Sequence, residues 1–136
     1  MQKGWSSSGA KESISKPILL ALITAVVVGV VAPLVLPHAT HPSMIYHILL
    51  HMAGLTLVVF VSTVSFLAYS RSPTTRMLLM AVAFVTLAVV ELLYLLQAGG
   101  MYVGQFIIPA ANIELSHLVL LIMVTLFGLG VLKVNK

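Results

Sequence analysis

Polar positions in this chain are few and grouped, and between them lie four long apolar runs. The longest, Met44 to Tyr69, is 26 residues without a Lys, Arg, Asp or Glu. As a helix rising ~1.5 Å per residue, such a run crosses a ~30 Å hydrocarbon core. The other runs are Pro17 to Leu36, Met77 to Gln97 and Leu115 to Leu132. Their ends carry helix punctuation. Pro17 fits a first turn, where its missing N–H leaves no bond unmade. Ser43 is placed to cap the second span, and Ser72 followed by Pro73 reads as a cap and first-turn proline for the third. Gly99 and Gly100 end the third, while Asn112 is placed to cap the fourth with Glu114 in its first turn near the positive helix end. Pro33 is expected to kink or loosen the last turn of the first span. The segment MYVGQFIIPAA (101–111) is too short to span and is expected to lie along the interface as a loop or short helix. The pattern predicts an all-α polytopic membrane protein with a tail over 1–16 and a four-helix transmembrane domain over 17–136.

Composition narrows the class. Hydrophobic residues make up 60% and charged residues 7% of the chain, against roughly 45–50% and 25% in soluble domains. The tail MQKGWSSSGAKESIS is polar and flexible by composition, except for Trp5, which suits an interface anchor or a contact with a partner subunit. A basic leader before an apolar run also resembles a signal peptide. This run is longer than the usual ~7–15 residues and no A-x-A site follows, so it reads as a retained first helix.

The seven Lys and Arg residues form no dense patch, which argues against nucleic acid as a partner. They act instead as topology signals. With four spans, all seven fall in the tail, the 70–76 loop and the C-terminus, on one side, while the 37–43 and 98–114 segments carry none. The positive-inside rule then makes both termini cytoplasmic and the chain a multi-pass protein of the cell membrane. Three or five spans would break the pattern. The absence of cysteine excludes disulfides, thiolate metal sites, covalently attached haem and iron–sulfur clusters.

Two features remain. Ala21, Ala25, Gly29 and Pro33 recur every four residues on the first span, a small-residue stripe that lets another helix approach. Ser and Thr within the spans can bond to their own backbone, so no continuous ion pathway is written in the sequence. The second feature lies on one side of the membrane. His38 and His41 fall in the first outer turn, His47 and His51 in the outer part of the second span, and His117 at the start of the fourth. Glu91, the only acidic residue within an apolar run, lies roughly 9 Å below the outer end of the third span, and His51 roughly 10 Å below the start of the second. At matched depth the two are expected to meet.

Three readings of this cluster stay open. His51 and Glu91 form a structural pair holding helices two and three in register, since a lone carboxylate in hydrocarbon is costly. Alternatively His47 and His51, with Glu91 or His117, hold a copper, zinc or nickel ion through imidazole and carboxylate. The third is a b-type haem between His47 or His51 and His117. No cofactor is required by the first reading.

The stretches YHILLH (46–51), SFLAYSR (65–71), MLLMAVAF (77–84) and ELLYLL (91–96) resemble a group of small archaeal four-helix membrane proteins of unassigned activity. The likeness covers roughly Met44 to Leu132. In size and span count the chain is also similar to the accessory membrane subunits around archaeal ammonia monooxygenase. That resemblance implies no active-site residues. It implies a non-catalytic subunit, and with the near absence of extramembrane mass the expected function is an accessory transmembrane subunit of a larger membrane enzyme, bound to other membrane subunits and to lipid. The alternative is a small membrane protein binding haem or a metal ion.

Overall fold

A computed structural model describes residues 14–39, 41–101, 107–108 and 113–132. Trp5, the Asn112 cap and most of the 101–111 segment lie outside the described residues. Four helices carry the chain: α1 (Lys16–Val35), α2 (Pro42–Arg71), α3 (Thr75–Ala98) and α4 (Leu115–Leu132). All four are long and apolar enough to cross a membrane. A single 3-10 turn, Leu36–His38, extends α1, and a two-residue antiparallel ladder joins β1 (Ile107–Ile108) to β2 (Ile113–Glu114). Within 101–111 the described Ile107–Ile108 are extended and paired, and residues 102–106 and 109–111 lie outside the described residues.

Proline explains where two helices start and stop. The residue before a proline is pushed out of the helical region by the ring. His41, before Pro42, is extended at φ −130, ψ 147, and is the N-cap of α2. Pro42 therefore opens the helix, and Ser43 sits inside the first turn instead of capping it. Ser72, before Pro73, leaves the helical region at φ −144, ψ 85 and closes α2. The cap of α3 passes to Thr74, whose hydroxyl accepts the Met77 N–H at 3.2 Å. Gly100 follows α3 at φ 78. The Met101 N–H reaches Leu96 O at 2.9 Å and Gly100 N–H reaches Gln97 O at 3.0 Å, the paired bonds of a Schellman ending.

Pro33 lies inside α1, where it lacks the N–H that would bond to Gly29. Three residues later α1 tightens into the 3-10 turn. The His38 ring lies 3.0 Å from Leu34 O through Nδ1. Intrahelical bonds also satisfy the hydroxyls of Thr24, Thr56, Ser62, Thr63, Thr86 and Thr125, each with the carbonyl four residues back. Among the described residues no buried side-chain polar atom lacks a partner.

Consecutive helices pack against each other, α1 on α2, α2 on α3 and α3 on α4. No substantial interface joins α1 to α4 among the described residues. The core lies toward the end where α1 stops and α2 starts: Val27, Val31 and Val35 of α1 meet Ile48, Met52 and Leu55 of α2 and Leu95 of α3. On the other side of α3, the rings of Phe84 and Phe127 lie 6.0 Å apart at 70°. A Cβ at Gly130 would be 3.0 Å from Met80 Cγ, so glycine permits α4 to approach the start of α3.

This alternation sorts the polar side chains. Lys16, Arg71 and Arg76 gather at one end; His38, His41, His47, His51, Glu91, Glu114 and His117 gather at the other.

Candidate functional site

Positions 47, 51 and 54 fall on one face of α2, and 91 and 94 on one face of α3. The two faces meet. His51 Nδ1 lies 2.9 Å from Glu91 Oε2, with the side chains 17% and 23% exposed. The contact expected from matched depths is therefore present. His47 and His51 pack edge to face with ring centroids 4.7 Å apart and planes at 79°. The Tyr94 ring lies 5.6 Å from that of His51, tilted at 34°.

Glu91 reaches α2 because residue 54 is glycine. A Cβ there would sit 3.0 Å from Glu91 Oε2, 3.1 Å from Cδ and 3.3 Å from Oε1. The carboxylate thus packs against the helix backbone, one turn from the imidazole that it pairs with. The sequence reading missed Gly54 and Tyr94. Their signal was spacing: Gly54 is three residues after His51, and Tyr94 three after Glu91.

The remaining histidines are held elsewhere. His117 Nδ1 lies 3.4 Å from Glu114 Oε2, a pair that is largely exposed at 63% and 44%. Glu114 immediately precedes α4 instead of lying in its first turn, and its carboxylate also takes the Ser116 hydroxyl at 3.5 Å. His38 is tied to its own turn and His41 is the cap of α2. Of the candidate ligands, the structure brings His47, His51 and Glu91 together and leaves His117 in a separate pair. Among the described residues no group of three or more His, Cys, Asp or Glu is arranged to hold a metal ion.

A carboxylate at Nδ1 selects one tautomer of the imidazole. With the proton on Nδ1, His51 donates to Glu91 and keeps Nε2 as an acceptor. Such a dyad fixes the ring in orientation and ties α2 to α3. No family model, curated protein or solved structure matches this chain.

Proposed function

We propose that the protein is an accessory, non-catalytic transmembrane subunit of a larger membrane enzyme, docked through α1. One observation carries this reading. The small-residue stripe of α1 is turned away from its own fold: Val27, Val31 and Val35 bury the opposite face, whereas Ala21, Ala25, Gly29 and Pro33 are exposed. A Cβ at Gly29 would meet nothing within 4 Å. In a membrane, close packing of backbones over small residues is a principal source of helix association. A face of this kind that meets no partner among the described residues suits a helix from another subunit.

In this reading both termini are cytoplasmic, since Lys16, Arg71 and Arg76 share one end, and the histidine end faces outward in the cell membrane. The His51–Glu91 pair is a register lock between α2 and α3. The likeness to accessory subunits of archaeal ammonia monooxygenase makes that enzyme the first parent complex to test.

The test is to solubilise native membranes in mild detergent, separate by size and follow the chain by mass spectrometry. The expected result is travel with an assembly of several other membrane subunits, lost when Ala25 and Gly29 are both replaced by Leu. Migration alone, with haem absorbance or stoichiometric metal removed by His51→Ala, would replace this reading with the cofactor-binding one.

A further inference from the structure

The buried contacts of α1 are concentrated in the second half of the helix. Its buried residues, Val27, Val31 and Val35, all lie in its second half, and nothing between Lys16 and Val26 is buried. On α2, Ser62 is the last buried residue before the helix ends at Arg71. Toward the basic end a cleft of about 380 Å³ lies between the two helices. Leu19 forms its α1 wall and Val64 and Leu67 its α2 wall, with Ser15, Lys16 and Arg71 also lining it.

Among the described residues the charges at this cleft are uncompensated. The described acids, Glu91 and Glu114, both stand at the opposite end, in pairs with His51 and His117. Neither Lys16 nor Arg71 forms an ion pair among the described residues, and the Ser15 side chain makes no capping bond. The cleft therefore sets two cations beside apolar walls, at the ends of helices long enough to cross a bilayer.

We propose that this cleft binds one anionic phospholipid, its phosphate held by Lys16 and Arg71 and the first part of an acyl chain lying between Leu19, Val64 and Leu67. A dissolved anion would neutralise the cations and leave the walls uncovered; an acyl chain alone would do the reverse. A phospholipid satisfies both. The guanidinium of Arg71 can take two phosphate oxygens side by side, with the Lys16 ammonium as a point charge. The volume is at the low end of the ~300–1,000 Å³ of small-ligand sites, which suits a phosphate and part of a chain, not a whole lipid. Basic pockets between spanning helices recognise anionic headgroups by this physics. A zwitterionic headgroup carries its own cation and gains less.

The inference rests on the four helices crossing a membrane and is independent of docking in a complex. Purified full-length chain is mixed with equal amounts of phosphatidylglycerol and phosphatidylcholine in detergent, and the retained lipids are counted by native mass spectrometry. The expected result is one tightly held phosphatidylglycerol, favoured by roughly tenfold, with the preference falling to near parity in Lys16→Gln/Arg71→Gln. Arg76→Gln removes a cation from the same end outside the cleft and is expected to keep it. Leu19→Trp, which fills the cleft without changing charge, is expected to displace the lipid. Equal retention of the two lipids by the unmodified chain overturns the proposal. So does loss of preference in Arg76→Gln equal to that in the double variant, or unchanged binding in Leu19→Trp, since either marks diffuse attraction to a basic end.

Discussion

Glu91 is the only acidic residue of α3, and two residues of α2 accommodate it. His51 supplies a hydrogen bond at 2.9 Å and Gly54 supplies the space. Removing the imidazole leaves the carboxylate without its partner, so His51→Ala is expected to lower stability by about 1–2 kcal/mol in detergent unfolding followed by circular dichroism. Combined with Glu91→Ala, the losses should fall short of their sum by about 1 kcal/mol; strict additivity would show that the contact has no energetic role. Gly54→Ala separates space from propensity. Alanine is the better helix former by about 1 kcal/mol, but its Cβ must displace the Glu91 carboxylate by a few tenths of an ångström. The substitution should be close to neutral in the native chain and stabilise the Glu91→Ala background by about 1 kcal/mol. Equal effects in both backgrounds would refute this account of Gly54.

Between elements, the critical joint is where the end of α3 meets the end of α1. Gly99 has φ −79, which any residue adopts, so it is the space around it that demands glycine. A Cβ would lie 2.7 Å from Val35 Cγ1, and Val35 is fully buried and has nowhere to move. Gly99→Ala is expected to cost about 1–3 kcal/mol, the range of overpacked cores, and to loosen α1. Gly128 is the internal control, because a Cβ there meets nothing within 4 Å. Gly128→Ala should leave the unfolding midpoint unchanged or raise it. If the two substitutions behaved alike, the α1–α3 joint would not be tight. At Gly100 the reason is different: φ 78 disfavours any L side chain, so Gly100→Ala should weaken the α3 ending by about 1 kcal/mol through the backbone alone.

Over the whole molecule, the four helices segregate charge between two ends, with Lys16, Arg71 and Arg76 opposite the histidines and Glu91. That segregation makes the membrane orientation testable. The chain has no cysteine, so single cysteines introduce unique labels. In intact cells, a membrane-impermeant maleimide is expected to label Ala39→Cys in the α1–α2 turn and to spare Ser72→Cys in the α2–α3 turn until the cells are opened. The reverse pattern would invert the topology, and labelling of both from outside would remove the four-span crossing. The absence of a substantial α1–α4 interface has a second consequence. Among the described residues it leaves α1 attached mainly through α2, with its small-residue face exposed and a cleft beside its basic end.

The number and placement of the long helices followed from apolar run length, because a hydrocarbon core sets a minimum length that few other constraints imitate. The separation of basic from histidine-bearing ends followed from the alternation in direction of four consecutive helices. The meeting of His51 with Glu91 followed from counting rise per residue along two neighbours. Cap positions were legible only in part: HPS and SPTT each offer several capping residues within a few positions, and the proline rings decided among them. The sequence could not say which face of α1 is buried. A helix apolar around its whole circumference carries no periodic signal of its inner side, so the choice of Val27, Val31 and Val35 over the small-residue stripe was made by packing. The same holds for Gly54 beneath Glu91, Gly99 against Val35, and the cleft beside Lys16 and Arg71. Each depends on the distance between two helices, a quantity set by side chains distant in sequence that meet only when the helices pack.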